Sequence, residues 1–216
     1  METRDIDRGE VLRYLGYGRH EADRRVMDLV EQCIEELGRE ASPLYLCRDY
    51  PLALGQEGLV DAGGFITRSR NLARNLADCG RILVFAATLG TGADYLIGKY
   101  NRLQTSKAVV MQAAAAAMIE EDCDQVCAGL KAYYEADGWY LRPRFSPGYG
   151  DFPLECQGML LEALEAGKRI GIKLTDSPLM MSSKSVTAVM GASRKPYRCD
   201  VKRCEACGKK DCAYRR

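Results

Sequence analysis

The residues best suited to chemistry lie in the stretch Arg-Phe-Ser-Pro-Gly-Tyr-Gly-Asp at positions 144–151. Pro147 fixes its own φ angle, and Gly148 and Gly150 allow a ligand to approach the main-chain amides closely. The guanidinium of Arg144 presents a planar fork of donors that suits a carboxylate or a phosphate. The stretch therefore predicts a rigid loop with an exposed backbone, which serves either as a ligand site or as a structural turn before a helix.

A second cluster of reactive residues lies at the C-terminal end, in the pattern Cys199-x4-Cys204-x2-Cys207-x4-Cys212. Four thiols at this spacing could hold zinc in a tetrahedral site or an iron–sulfur cluster. The alternative is a reduced, basic tail whose thiols have no metal-binding role. We treat residues 194–216 as a Cys-rich tail that is separate from the rest of the chain.

Composition excludes several classes of function. The 216 residues include 31 basic and 30 acidic side chains, so no global field favours nucleic acid or an anionic membrane surface. No apolar run has the length of a membrane-spanning helix, and the polar N-terminus does not resemble a signal peptide. Ten cysteines without an export signal favour a cytoplasmic location. His20 is the only histidine, which argues against a mechanism that needs a histidine base.

Hydrophobic periodicity predicts short strands mixed irregularly with helices. The predicted helices cover residues 5–14, 21–37, 70–76, 91–100 and 106–134, and a further helix is capped by Asp151 with Pro153 in its first turn. The predicted strands cover residues 44–51, 65–67, 82–86, 170–174 and 185–190. This mixture predicts an α+β domain over residues 1–193, with a small mixed or antiparallel sheet and several packed helices.

Two motifs in this order resemble a known family. The motif Arg-x-x-Pro-Gly-Tyr at positions 144–149 is similar to the S-adenosylmethionine-binding loop of the activation domain of cobalamin-dependent methionine synthase. Residues 171–180 resemble that domain's Gly-x-Lys-Leu-Thr-acidic-Ser-x-x-Met segment, and Ser-Val-Thr at 185–187 follows at the family's spacing. The resemblance is strongest over residues 106–191, and the form of the loop resembles members of the family that stand apart from the large synthase.

The resemblance implies roles for residues of the loop. Arg144 would hold the carboxylate of the ligand's methionine moiety, and Ser146 and Gly148 would present backbone groups to the ligand. Tyr149 would line the same pocket. One departure from the synthase is that Val189 stands in the last strand near the place where the synthase domain carries an aromatic residue.

An acidic residue on the long predicted helix completes the implied site. Glu120 matches the family's ligand-facing acidic position, where a carboxylate suits the ammonium or sulfonium charge of the ligand. From the residues alone, the alternative is a solvated helix face, because Glu120 begins the charged run Glu-Glu-Asp. Glu121 would take the same role if the register of the helix differed by one residue.

The family's activity implies that this chain binds S-adenosylmethionine and helps to re-methylate an inactivated corrinoid. The expected partners are a corrinoid-binding protein, or a methionine synthase without its own activation domain, and a flavodoxin- or ferredoxin-like electron donor of low potential. The chain lacks an Asp-x-His-x-x-Gly corrinoid signature, so we expect the cobalamin to be carried by the partner. The alternatives are a non-catalytic S-adenosylmethionine-binding or docking module, and a metal-binding interaction protein that acts through its tail.

Overall fold

The computed structural model describes residues 6–18 and 20–196. Within them the helices are α1 (Arg8–Tyr14), α2 (Arg24–Glu40), α3 (Arg70–Asn75), α4 (Thr91–Leu103), α5 (Thr105–Ala136), α6 (Cys156–Ala163) and α7 (Ala166–Arg169). The strands are β1 (Leu44–Pro51), β2 (Ala53–Leu54), β3 (Leu59–Asp61), β4 (Ile66–Arg68), β5 (Arg81–Thr88), β6 (Tyr140–Leu141), β7 (Lys173–Leu174), β8 (Met180–Met181) and β9 (Ser185–Ser193). The α+β class predicted from the sequence is confirmed.

The main sheet has four strands in the order β1-β5-β9-β6, and every neighbouring pair is antiparallel. The central strands β5 and β9 are paired over eight residues, from Arg81 opposite Ala192 to Thr88 opposite Ser185. The remaining strands form two smaller antiparallel sheets, β2-β3-β4 and β7-β8. The sheet is therefore built around two long strands, of which β9 comes last in the described chain.

Strand β5 is buried on both faces, so its side chains divide the apolar interior into two parts. Leu83, Phe85 and Ala87 point into one cluster, which contains apolar residues of α2, α4 and α5 and is called here the α5-side core. Ile82 and Val84 point into the other, which contains apolar residues of α3 and α6 and is called here the α6-side core. Strand β9 alternates in the same way, so the strands that hold the sheet together also join the two cores.

Helix α5 is the longest element, with 32 residues, and it packs against α1, α2 and α4. Its run of five alanines allows these helices to approach closely, and four of the five are buried. A polar contact fixes its first turns, because the Lys107 ammonium lies 2.6 Å from the carboxylate of Glu36, which also accepts from the Tyr100 hydroxyl at 2.6 Å. Among the helices of the described ranges, none combines the length and the apolar character that a bilayer crossing requires.

The structure differs from the predicted strands at residues 170–174 and at four short strands that were not predicted, β2, β3, β6 and β8. The strand predicted over 170–174 is reduced to Lys173–Leu174, because Ile170 caps α7 and Gly171 turns the chain with a φ of +74°. The sheet β2-β3-β4 contains two strands that hydrophobic pattern did not predict, since Ala53–Leu54 and Leu59–Asp61 are too short to show an alternation.

A close backbone approach joins the end of α2 to the start of α4. A Cβ atom at Gly92 would overlap the main-chain carbonyl oxygen of Glu40. Because that neighbour is backbone, the contact cannot be relieved by a rotamer change. Gly98, on the same helix, has no atom within 4 Å of the corresponding position.

We predict that Gly92→Ala lowers the free energy of unfolding by about 1–3 kcal/mol, because the added methyl group forces α2 and α4 apart. Gly98→Ala is the matched control and should raise it by about 0.5–1 kcal/mol, because alanine favours the helix and meets open space. Urea denaturation followed by circular dichroism measures both. Equal effects of the same sign would contradict this account of the contact.

Candidate functional site

The guanidinium of Arg144 lies against helix α5 and contacts two carboxylates there. Its Nη2 atom donates to Glu120 Oε2 at 3.1 Å and to Asp124 Oδ1 at 2.6 Å. Glu120 and Asp124 are four residues apart, so both project from one face of the helix. The structure thus brings together Arg144 and Glu120, two of the residues that the family resemblance implied, and adds Asp124.

Exposure differs strongly among these three side chains. The side chain of Arg144 is 8% exposed, that of Glu120 is 36% exposed and that of Asp124 is 57% exposed. Burial disfavours the charged form of Arg144, but the nearby anionic groups outweigh this effect and raise its pKa. The site therefore pairs a mostly buried cation with one partly exposed and one largely exposed carboxylate.

The acidic residue next to Glu120 does not contact Arg144. Glu121 accepts a hydrogen bond from the side-chain amide of Gln125 at 3.1 Å, one turn farther along the same helix. The acidic residue that contacts Arg144 is therefore Glu120 and not Glu121. Asp124 was not predicted, although its position four residues after Glu120 is the signal that could have identified it.

The thiol of Cys123 lies beside these charged groups but is not a nucleophile. It is fully buried in the α5-side core, and burial raises its pKa to about 12 in spite of the opposing effect of Arg144. A thiol with this pKa stays protonated at neutral pH. The chemistry available at the site is therefore electrostatic recognition by charged groups and not covalent attack.

The segment after Arg144 is held against strand β9. The backbone N–H and C=O of Phe145 each bond to Val189 at 2.9 Å, which is an isolated antiparallel bridge. Phe145 packs on the α6-side core, whereas Arg144 reaches α5 on the opposite face of the sheet. This arrangement follows from the alternation of side chains in an extended segment. The short pairing with β9 thus aims the guanidinium at the helix.

The loop itself is closed by its own backbone. The N–H of Gly148 donates to the carbonyl of Phe152 at 2.8 Å, and the N–H of Tyr149 donates to the carbonyl of Ser146 at 3.2 Å. Gly148 has a φ of +89°, which favours glycine at this position. Because its N–H is already bonded, a contact from the backbone of Gly148 to a ligand would come from its carbonyl.

Aromatic rings fix one side of the loop and leave the other open. The ring of Phe152 is buried in the α6-side core, and its centroid is 6.2 Å from that of Phe145. Tyr149, in contrast, is 67% exposed, and its ring centroid is 6.5 Å from that of Phe145. The tyrosine that the resemblance assigned to the pocket is therefore presented to solvent at the surface of the loop.

The end of the loop caps a helix that comes much earlier in the chain. The carboxylate of Asp151 accepts from the Ser69 hydroxyl and from the backbone N–H groups of Arg70 at 2.8 Å and Asn71 at 3.0 Å. The sequence prediction that Asp151 caps the following helix is therefore wrong, and the helix it caps is α3. The helix after the loop begins at Cys156.

The second motif of the family resemblance also reaches strand β9. Its residues form β7 and the turn that leads into β8. Gln157, on α6, donates to the carbonyl of Pro178 in that turn at 3.3 Å and accepts from the Thr187 hydroxyl on β9 at 3.4 Å. Both motifs are thus supported by the same strand.

The predicted metal ligands cannot be placed. Cys199, Cys204, Cys207 and Cys212 lie outside the described residues, so zinc or iron–sulfur binding by the tail stays a prediction. Within residues 6–18 and 20–196, no group of three or more histidine, cysteine or acidic side chains could hold a metal ion.

Comparison with known proteins extends this description. No protein-family model matches the chain, and no curated protein matches it by sequence. A solved structure does match: a crystal structure of the MetH reactivation domain bound to AdoHcy, with 16% sequence identity and a TM-score of 0.60. This chain has the fold of that domain. The alignment covers 78% of this chain and 64% of the MetH domain, so the chain corresponds to less than two thirds of its structural neighbour.

The two sequence motifs resemble the activation domain of cobalamin-dependent methionine synthase, and the structural neighbour is the reactivation domain of MetH. The likeness of fold concerns the path of the chain, whereas the resemblance of the motifs concerns the residue types at 144–149, 171–180 and 185–187. At this level of identity the structural match establishes the fold alone.

The Asp151 cap predicts a specific pH dependence of stability. The hydrogen bond from the Ser69 hydroxyl, followed by that from the backbone of Asn71, lowers the pKa of Asp151 because both stabilise the charged carboxylate. A carboxyl group with a lowered pKa in the folded state stabilises the fold above its unfolded pKa, and this contribution is lost as the pH falls through the folded pKa. The difference in unfolding free energy between the wild type and Asp151→Asn should therefore be largest at neutral pH. It should shrink between about pH 5 and about pH 2.

Urea denaturation at a series of pH values measures this difference. Ser69→Ala should reduce the same pH-dependent contribution, because it removes the largest stabilising contact of the carboxylate. A difference between the wild type and Asp151→Asn that stays constant with pH would show that the charge of Asp151 has no role in holding the loop.

Proposed function

We propose that this chain binds S-adenosylmethionine at Arg144 and supports reductive re-methylation of a corrinoid. A partner such as a cobalamin-dependent methionine synthase without its own activation domain would carry that corrinoid. One observation carries the proposal: the Arg-x-x-Pro-Gly-Tyr loop is secured to β9 with its guanidinium against α5, in a chain with the fold of the MetH reactivation domain. That domain was solved with AdoHcy bound, and AdoHcy, or S-adenosylhomocysteine, is the demethylated form of the proposed ligand.

The charges around Arg144 suit the amino-acid end of such a ligand. In the proposed complex the guanidinium of Arg144 holds the ligand's carboxylate, and the carboxylate of Glu120 lies beside its ammonium group. Since Arg144 is almost fully buried and Glu120 is partly buried, these contacts are screened less by solvent than surface pairs would be. Tyr149 offers an exposed aromatic ring at the edge of the loop, where it can cover part of the ligand.

The proposed reaction demands little chemistry from the chain itself. Bound S-adenosylmethionine supplies a methyl group on a sulfonium, for transfer to reduced corrinoid cobalt with a neutral thioether as the leaving group. Because the nucleophile belongs to the corrinoid and the leaving group needs no proton, the chain need not provide a base. Its residues have to hold the donor in line with the acceptor, and a mostly buried cation with a hydrogen-bonded loop beside it suits that purpose. The reduced cobalt requires an electron donor of low potential, for which we propose a flavodoxin- or ferredoxin-like protein.

A second candidate function is a docking module that does not bind the ligand. The observation that favours it is that Arg144 already has two carboxylate partners within the chain. If those pairs are too stable to exchange, the chain could still contact a corrinoid protein through the same fold. The two candidates differ in whether S-adenosylmethionine binds at all.

We predict that S-adenosylmethionine binds the wild-type chain saturably in titration calorimetry and that Arg144→Ala weakens binding roughly ten- to hundredfold, because a charge-assisted contact is lost. Arg144→Lys should weaken it as well, since an ammonium group retains the charge but not the planar fork. Arg74→Ala, at an exposed site on α3, is the charge-matched control and should bind like the wild type. Thermal unfolding verifies that each variant remains folded. Absence of binding to the wild type at millimolar ligand would exclude the ligand-binding function and leave the docking function and metal binding by the Cys-rich tail.

A reconstituted assay tests the reactivation role. A cobalamin-dependent methionine synthase without its activation domain is supplied with a low-potential reductant and S-adenosylmethionine, and methylcobalamin is followed by its absorption spectrum. Addition of the wild-type chain should restore methylcobalamin formation, and Arg144→Ala should not. An unchanged spectrum in the presence of a chain that binds the ligand would exclude reactivation of that synthase and support a binding role alone.

A further inference from the structure

Asp124 occupies the position at Arg144 that a ligand's carboxylate would need. It is the closer of the two acidic partners, at 2.6 Å from Nη2, whereas Glu120 lies at 3.1 Å. It is also the most exposed side chain of the three, at 57%, against 8% for Arg144. A side chain that is already largely hydrated can turn away from Arg144 into solvent at a small cost in solvation. The buried guanidinium cannot move in the same way.

The contacts of the guanidinium show what an exchange would achieve. Among the described residues, the hydrogen bonds to the Arg144 guanidinium engage Nη2 only, and each of its two N–H groups serves one carboxylate. A carboxylate bound end-on by an arginine fork needs one N–H from each terminal nitrogen. The ligand can therefore gain a two-point contact with Nη1 and Nη2 if one of the two internal carboxylates leaves Nη2. Of the two carboxylates, Asp124 can leave more easily, because its side chain is the more exposed to solvent.

The balance of charges also favours the displacement of Asp124 by a ligand. Arg144 with Glu120 and Asp124 carries one positive and two negative charges, so a third carboxylate added to this group would be repelled. A zwitterionic amino acid that displaces Asp124 pairs its carboxylate with Arg144 and its ammonium with Glu120, while Asp124 is hydrated by solvent. We propose, on the basis of the function proposed above, that Asp124 is an internal substitute for the ligand's carboxylate, and that its displacement from Arg144 limits the affinity of the site for S-adenosylmethionine.

A substitution at Asp124 tests this exchange, because two physical effects predict opposite signs. If Asp124 acts only through its general field, Asp124→Asn should weaken the binding of a ligand with a net positive charge. If Asp124 competes for Arg144, the same variant should bind S-adenosylmethionine more tightly. The strength of partly exposed ion pairs predicts a gain of roughly two- to fivefold in affinity. Titration calorimetry measures both the sign and the size of the change.

Two controls isolate the effect. Glu121→Gln removes one negative charge from the same helix, but Glu121 contacts Gln125 and not Arg144, so this variant should not bind S-adenosylmethionine more tightly than the wild type. Methylthioadenosine lacks the amino-acid end of the ligand, so its affinity should be the same for the wild type and for Asp124→Asn.

The outcomes separate this inference from the function on which it rests. Tighter binding by Asp124→Asn, with no gain in Glu121→Gln, supports the exchange. Binding that depends on Arg144 but is unchanged or weaker in Asp124→Asn overturns the exchange and leaves the proposed function intact. If neither the wild type nor Asp124→Asn binds S-adenosylmethionine, the proposed function fails and the exchange fails with it.

Discussion

An arginine side chain that is only 8% exposed needs anionic partners, and the structure provides them from one face of a single helix. The pairing of Arg144 with Glu120 and Asp124 therefore fixes where the loop lies relative to α5. The helix in turn is held by the alanine-lined contacts with α2 and α4 and by the ion pair between Lys107 and Glu36. The position of the charged groups around Arg144 therefore depends on the packing of the α5-side core.

Strand β9 connects that arrangement to the rest of the molecule. Its backbone pairs with Phe145, and its Thr187 hydroxyl contacts Gln157, which also holds the turn between β7 and β8. Side chains of β9 alternate between the two cores, so the strand that supports both motifs is itself fixed from both faces. Because the capping of α3 by Asp151 secures the far end of the loop, the residues between Arg144 and Asp151 are restrained at both ends, and the backbone hydrogen bonds of Gly148 and Tyr149 close the middle.

The sequence predicted those parts of the molecule that depend on local pattern. The long helix with its alanine run, strands β5 and β9, and the capping of α3 by Ser69 all follow from periodicity and from side-chain hydrogen bonding close in the chain. The partner of Asp151 could not be predicted, because the helix that it caps lies about eighty residues away in the chain and nothing local distinguishes this contact from a cap on the next helix. Asp124 was missed for a related reason: a carboxylate on a charged helix face looks solvated until the fold brings a cation to it. The motif resemblance named Arg144 and Glu120, but it could not indicate that they already contact each other.

The segment around Arg144 also pairs with β9 on the side of the main sheet where that strand would otherwise be an edge. Strand β9 would present unsatisfied amide and carbonyl groups along its length if no neighbour followed it, and such borders invite pairing with other chains. β6, the bond from the Arg142 N–H to the Gly191 carbonyl and the bridge at Phe145 occupy that border from Ser193 to Val189. The segment that leads into the loop at residues 144–151 therefore also covers part of an edge to which a strand of another chain could add, so mutations that loosen this segment would expose that edge.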